Sequence, residues 1–128
     1  MNILIAEDDK VSNMILKSIL ESCGNSVLIT FDGVELVKSF IENKYAIDIV
    51  MTDVSMPNMN GFEATQKIKK IKNVPVVLVT AFDKATSFYN SAGEYIPWSI
   101  ANFYIQKPVD RKQILDVLAA IYHDYGIK

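Results

Sequence analysis

Short apolar runs alternate along the chain with stretches in which apolar residues recur at helical spacing. The runs, which are typical of strands, occupy residues 3–6, 27–31, 47–52, 76–80 and 103–106. The helical spacing occupies residues 11–23, 34–41, 62–71 and 114–121. The run at 76–80 is almost wholly apolar, as in a parallel strand buried on both faces. Strands joined by helical crossovers predict an α/β fold with a parallel sheet covered on both sides.

Signals at the helix ends support this assignment. The first helix stops at Gly24, a typical residue just past a helix C-terminus. Asp110 and Gln113 have the spacing of a capping box at the start of the last helix. The apolar stripe predicted to face the core from the first helix consists of Val11, Met14, Ile15 and Ile19, widened by Leu16 and Leu20.

The segment between the fourth and fifth predicted strands, residues 82–102, has the least regular pattern. Residues 88–92 allow a short helix, but Gly93, Pro97 and Trp98 break its period. Counting that helix gives five βα units, (βα)5, in a doubly wound sheet. The apolar run at 95–100 is either core or a contact surface.

Length and composition narrow the class of protein. The 128 residues are the size of one domain, residues 1–128, and can bury a core without disulfides. Thirteen Lys and Arg against fifteen Asp and Glu give a net charge of −2, which does not favour direct binding to nucleic acid or to anionic membranes. One cysteine excludes an intrachain disulfide. Because the chain has neither a membrane-length apolar run nor a signal-peptide pattern, we expect it in the cytoplasm.

Side chains capable of chemistry lie at the ends of four predicted strands. They are Glu7, Asp8 and Asp9 after the first, Asp53 after the third, Thr80 ending the fourth and Lys107 after the fifth. With the strand order 2-1-3-4-5, all four ends face one pocket. Close carboxylates repel each other, so the group must take up a proton or share a cation. Each residue alone has an ordinary structural explanation, and only their conjunction favours a functional site.

The residue types in this pocket favour phosphoryl chemistry. Carboxylates, a backbone carbonyl and waters are ligands typical of Mg²⁺. A lysine and a hydroxyl suit the oxygens of a phosphoryl group while an Asp carboxylate attacks the phosphorus. A phosphohydrolase of the haloacid dehalogenase type would need a second acid where the chain has Ser55. A flavodoxin-type electron carrier would bring its flavin phosphate against Glu7, Asp8 and Asp9, and the Gly-x-Gly-x-x-Gly fingerprint of dinucleotide enzymes is absent.

Four motifs make the chain resemble the receiver domain of two-component response regulators over essentially its whole length. The motifs lie at residues 3–9, 53–61 (Asp-x-x-Met-Pro-x-Met-x-Gly), 79–81 and 104–108. The resemblance implies a flavodoxin-like five-stranded sheet of order 2-1-3-4-5. It also implies phosphorelay signalling by a domain that catalyses only its own phosphorylation and dephosphorylation, rather than a conventional enzyme.

The resemblance assigns roles to individual residues. Asp53 matches the phospho-accepting aspartate and is also a metal ligand. Glu7 and Asp8 match the acidic pair that binds Mg²⁺, with Asp8 as the direct ligand and Glu7 acting through water. Ser55 stands where the backbone carbonyl binds the metal. Asp9 lies one place beyond the pair and is expected to be solvated or to cap a helix.

The resemblance also assigns roles to residues that respond to the phosphoryl group. Thr80 matches the switch hydroxyl that bonds the phosphoryl group, and Lys107 matches its cationic clamp. The Lys107–Pro108 peptide is expected to be cis. Tyr104 matches the aromatic switch that moves inward with the threonine.

The implied partners are a sensor histidine kinase or a histidine phosphotransfer protein, and an effector domain or downstream protein that uses the face from strand 4 to helix 5. The chain is either a stand-alone receiver or one cut from a longer regulator. The segment from Thr80 to Lys107 is longer than usual in the family, so the chain departs from the family pattern at the fourth helix and its output surface. Phe82 is bulky where it would shield a phosphoryl group from water, which predicts slow self-hydrolysis. The alternative function is a pseudo-receiver, an interaction module that is not phosphorylated.

Overall fold

A computed structural model describes residues 1–126 and contains a five-stranded parallel sheet. Its strands are β1 (Asn2–Ala6), β2 (Ser26–Thr30), β3 (Ile49–Thr52), β4 (Val76–Thr80) and β7 (Phe103–Gln106). The order across the sheet is β2-β1-β3-β4-β7. Because β7 is the fifth strand predicted from the sequence, both the parallel sheet and its order are confirmed.

Two helices cover each face of the sheet. The helices are α1 (Lys10–Ser22), α2 (Gly33–Asn43), α3 (Gly61–Ile71) and α4 (Arg111–Tyr125). Alternate strand residues face opposite sides, so that Ile3 and Ile5 pack with α1 and α4 while Leu4 and Ala6 pack with α2 and α3. This two-sided burial accounts for the nearly continuous apolar runs of the strands.

Short polar side chains begin each helix. The side chains of Asp9, Asp32, Asn60 and Asp110 accept backbone N–H groups of the first turn, as expected of N-cap residues. The predicted capping box of Asp110 with Gln113 is confirmed. Gly24 follows α1 with φ of 86°, a left-handed conformation that glycine adopts without strain.

The predicted apolar stripe of α1 is wrong in part. Val11, Met14 and Ile15 are exposed, at 65%, 68% and 53% of their full accessibility. The buried residues of the helix are Asn13, Leu16 and Leu20. The core-facing side is therefore rotated toward Asn13, and an apolar surface is left uncovered.

The helix expected in the fourth βα unit, at residues 88–92, is wrong. Residues 81–102 contain no α-helix; they form an antiparallel hairpin of β5 (Phe88–Tyr89) and β6 (Tyr95–Ile96), followed by a 3₁₀ turn at Trp98–Ile100. Gly93, with φ of 80°, lies in the hairpin turn, and Pro97 starts the 3₁₀ turn. The apolar run at 95–100 contributes to the core, because Ile96 is buried. Tyr95 is 56% exposed, and a contact surface there stays a prediction.

Strand register brings the functional ends together. Ala6 pairs with Thr52, and Thr80 pairs with Gln106, so the residue after each of β1, β3 and β7 emerges at the same edge. The Asp53 N–H donates to the Ala6 carbonyl, and the Lys107 N–H donates to the Thr80 carbonyl, both at 2.9 Å. These backbone hydrogen bonds fix the positions of Asp53 and Lys107 at the edge of the sheet.

Candidate functional site

Three carboxylates meet at the carboxyl edge of the sheet. Glu7, Asp8 and Asp53 each offer an oxygen, and these atoms all lie within 4.8 Å of one another. Glu7 and Asp53 are buried, whereas Asp8 is exposed. Asp9 is outside the cluster and caps α1, in agreement with one of the two roles expected of it.

Lys107 joins two of these acids. Its Nζ lies 2.7 Å from Asp53 Oδ2 and 3.0 Å from Glu7 Oε1. The other oxygen of Asp53, Oδ1, accepts the Val54 N–H at 2.6 Å. The Asp53 carboxylate is thus held from both sides. The peptide after Lys107 is cis, as expected.

Burial shifts the proton equilibria of this cluster. Loss of hydration, together with the neighbouring Asp53, raises the pKa of Glu7 from 4.5 to about 8 despite the ammonium of Lys107. Burial alone would lower the pKa of Lys107, but its bonds to Asp53 and Glu7 outweigh that effect and raise it. The pocket therefore holds a charged lysine and a carboxyl that retains a proton near neutral pH.

These residues fit a hard divalent cation. Glu7 Oε2 is buried and has no hydrogen-bond partner among the described residues. An unpartnered buried carboxylate oxygen is costly unless a proton or a cation satisfies it. With Asp8 and Asp53 beside it, the donor set is the all-oxygen type that Mg²⁺ prefers.

The chain turns back against Asp53 at Gly61. A Cβ at this position would lie 2.0 Å from the Asp53 carbonyl oxygen, so no larger residue fits without movement. The Gly61 N–H donates to the Val54 carbonyl at 2.8 Å. Gly61 belongs to the motif quoted above, but its contact with Asp53 is visible only in the structure.

Asn13 is a supporting residue that the sequence reasoning missed. Its Nδ2 donates to the carbonyls of Glu7 at 2.9 Å and Thr30 at 3.0 Å, which ties α1 to the ends of β1 and β2. A signal was present, because Asn13 is spaced with Leu16 and Leu20 on one helical face. A polar residue in line with a buried stripe marks a backbone group that needs a partner.

In the part of the chain that the structure describes, the remaining predicted residues form no side-chain hydrogen bond to the three acids. Thr80 is buried at the end of β4, and its hydroxyl oxygen accepts the Phe82 N–H at 3.2 Å. Ser55 is exposed, two residues after Asp53. The Tyr104 hydroxyl donates to the Phe82 carbonyl. Phe82 is 38% exposed, with its ring 5.2 Å from that of Phe88.

Comparison with known proteins decides the family. The family model described as the response regulator receiver domain matches residues 3–119. The chain belongs to the response regulator receiver family.

Individual relatives agree with this assignment. The chain is 32% identical to the chemotaxis protein CheY of Treponema pallidum over 124 residues, covering 93% of this chain and 81% of that protein. A crystal structure of a CheY-like response regulator receiver domain protein from Methanospirillum hungatei superposes with a TM-score of 0.79 at 28% identity, covering 96% of this chain and 94% of that one. These likenesses extend over nearly the whole receiver domain.

Longer proteins also contain a similar segment. A probable histidine kinase of Oryza sativa is 39% identical over 71 residues, which covers 56% of this chain and 7% of the kinase. The chain spans between 7% and 39% of the length of the first relatives it matches. Among residues 1–126, no helix has the length and apolar character needed to cross a membrane.

Proposed function

We propose that residues 1–128 form one receiver domain that accepts a phosphoryl group on Asp53 from a phosphohistidine of a sensor histidine kinase or a histidine phosphotransfer protein. The observation that carries the proposal is the placement of Asp53 Oδ2 2.7 Å from Lys107 Nζ, inside a cluster of three carboxylates. Family membership supports the same chemistry. A cytoplasmic location would give the domain access to such donors.

In the proposed reaction, an Asp53 oxygen forms a bond to phosphorus as the bond from phosphorus to the donor imidazole nitrogen breaks. The imidazole keeps the electron pair of that bond and takes up a proton. The Val54 N–H holds Asp53 Oδ1 and so limits rotation of the nucleophile. The Lys107 ammonium is near enough to pair with the phosphoryl oxygens, and this charge-assisted contact stabilises the charge that develops on them.

Glu7, Asp8, Asp53 and the Ser55 carbonyl would hold Mg²⁺. When bound, the ion supplies charge neutralisation for the incoming phosphoryl oxygens and a fixed orientation for them. The unpartnered Glu7 Oε2 supports a cation at this place. With the cation present, Glu7 would give up the proton that its raised pKa retains.

Thr80 and Tyr104 would supply the response to phosphorylation. In the proposed phosphorylated state, the Thr80 hydroxyl donates to the phosphoryl group, which changes its bond to Phe82. A new dianionic group would thereby favour one of two pre-existing conformations. Output to an effector or downstream protein would use the face from β4 to α4. Slow self-hydrolysis from the bulk of Phe82 stays a prediction.

The exposed apolar surface of α1 supports a docking place for the phosphodonor. Val11, Met14 and Ile15 are spaced for one helical face. Ile15 also lines a cleft of about 440 Å³ with Glu7, Asp53 and Lys107. A donor protein seated on this apolar surface would bring its phosphohistidine to Asp53.

The test is labelling by a small phosphodonor. We expect the full chain to be labelled by radioactive acetyl phosphate with Mg²⁺, and Asp53→Asn to abolish the labelling because an amide is a poor nucleophile. Asp9→Asn is the matched control, since Asp9 is acidic and near the cluster but only caps α1, a role that asparagine also performs. Undiminished labelling of Asp53→Asn would remove Asp53 as the acceptor, and no labelling of the wild type would favour the pseudo-receiver.

A further inference from the structure

The hairpin β5–β6 is fastened to α3 by polar contacts. Asn60 Nδ2 donates to the Tyr89 carbonyl at 3.0 Å, and Asn90 Nδ2 donates to Gln66 Oε1 at 3.3 Å. The Ser91 N–H donates to Glu63 Oε1. These contacts join side chains to short loop groups, so they can break without disturbing the main sheet. Because Ile96 of β6 is anchored in the core, the separable part of the hairpin is β5 with the turn that follows it.

An aromatic cluster connects the same hairpin to Tyr104. Phe88 of β5 stacks on Phe62 with ring centroids 4.7 Å apart. Trp98 meets Phe62 edge to face at 4.9 Å and Tyr104 at 5.1 Å. A displacement of Tyr104 would therefore shift the ring of Trp98 and, through Phe62, the ring against which Phe88 stacks.

The peptide groups of Phe82 link the two predicted switch residues directly. Its N–H donates to the Thr80 hydroxyl, and its carbonyl accepts the Tyr104 hydroxyl. Its ring also packs edge to face on Phe88 at 5.2 Å. One residue thus contacts Thr80, Tyr104 and the hairpin. A change in the Thr80 hydroxyl reaches the hairpin through a single loop residue.

We propose that the β5–β6 hairpin is the mobile output element of this chain, released from α3 when the Thr80 hydroxyl turns toward an anion on Asp53 and the Phe82 loop shifts with Tyr104. The inference rests on the proposed function, since it needs a phosphoryl group on Asp53. Release exposes Glu63, Gln66 and the side of β5 that now faces α3. The energy that drives it is the charge-assisted bonding of the anion, shifting an equilibrium between docked and released hairpins.

The experiment uses the full chain with Mg²⁺ and beryllofluoride, an analogue of the aspartyl phosphate. A ¹⁹F signal from bound fluoride reports occupation of the site. Hydrogen exchange at the Ser91 amide, which donates to Glu63 only while the hairpin is docked, reports release. We expect the exchange rate of Ser91 to rise about tenfold or more when beryllofluoride binds to the wild type, while amides of β3 stay protected.

Tyr104→Phe is the decisive variant because it removes the hydroxyl bond to Phe82 and keeps the ring beside Trp98. We expect it to bind beryllofluoride with the ratio of bound to free exchange at Ser91 reduced to near one. Tyr95→Phe is the matched control, since Tyr95 lies on the hairpin itself and is exposed; it should keep the wild-type ratio.

Three results would overturn the inference, and they differ from one another. Bound fluoride in the wild type with no change at Ser91 would overturn hairpin release and leave the proposed function standing. A full response in Tyr104→Phe would overturn the route through Phe82. Absence of a bound ¹⁹F signal in the wild type would overturn the proposed function and the inference together.

Discussion

The acidic pocket and the crossover from β4 to β7, residues 81–102, are built in different ways. The pocket takes Glu7, Asp53 and Lys107 from three strand ends, where parallel register and backbone hydrogen bonds set their positions. The crossover is held by aromatic packing and by side-chain bonds to α3. Pocket chemistry therefore depends on the sheet, whereas the crossover can change its contacts without moving the reacting groups. Substitutions in the pocket should therefore affect phosphorylation, whereas substitutions in the crossover should leave it unchanged.

The largest effect is expected from Gly61→Ala in the pocket. The added Cβ would lie 2.0 Å from the Asp53 carbonyl oxygen, so the loop after β3 must move. We expect a loss of about 3 kcal/mol in the free energy of unfolding, since overpacking at a rigid contact costs this much. Denaturant unfolding measures the loss, and labelling by acetyl phosphate should fall with it.

Gly93→Ala in the hairpin turn is the comparison for that variant. A Cβ there meets open space, but φ of 80° disfavours any residue with a side chain. The expected loss is about 1 kcal/mol, with labelling unchanged. Equal losses of labelling in the two variants would contradict the separation of pocket from crossover.

A smaller effect is expected from Trp98→Ala. The change removes the edge-to-face contacts with Phe62 and Tyr104 and the bond from Nε1 to the Thr86 carbonyl at 2.8 Å. Because Trp98 is only half-buried, we expect a loss of about 2 kcal/mol in unfolding free energy. Hydrogen exchange should accelerate in the crossover, with acetyl phosphate labelling retained. Tyr45→Ala, at a side chain 91% exposed, should change neither quantity.

The effect expected from Glu7→Gln differs from the others because it depends on pH. The folded protein raises the pKa of Glu7 from 4.5 to about 8, so the wild type loses stability as pH rises through that interval and Glu7 ionises in its buried place. Glutamine cannot ionise. In buffer without divalent cations, we expect melting temperatures that agree at pH 5, with the variant melting higher than the wild type at pH 9.

Glu42→Gln is the control for the pH experiment, because Glu42 is exposed. Its melting temperature should follow that of the wild type at both pH values. A wild type that gains stability over Glu7→Gln as pH rises would show that the Glu7 carboxylate is favoured, rather than opposed, by its surroundings.

The sheet and the pocket could be predicted from the sequence because each signal was local. Apolar runs located the strands, and the residue after a parallel strand must emerge at one edge. Glu7, Asp53 and Lys107 therefore had to converge once the strand order was assumed. No knowledge of side-chain packing was required for that step.

The crossover could not be predicted because its contacts are distant in sequence. Phe88 stacks on Phe62, and the Ser91 N–H donates to Glu63; in both pairs the partner lies nearly thirty residues earlier in the chain. The α1 stripe was misjudged for a related reason. Counting apolar residues favoured Val11 and Met14, whereas the buried face follows Asn13, whose partners are carbonyls at strand ends.

The two bonds of Lys107 have a practical consequence for handling the protein. Its ammonium already bonds to both Asp53 and Glu7 and so holds the two side chains together. If the pocket holds Mg²⁺ as proposed, a chelator should remove the ion without unfolding the domain, in contrast to small metal-dependent folds that unfold when the metal is removed. Protein that is purified and stored in chelating buffer should regain full labelling by acetyl phosphate when Mg²⁺ is added before the assay.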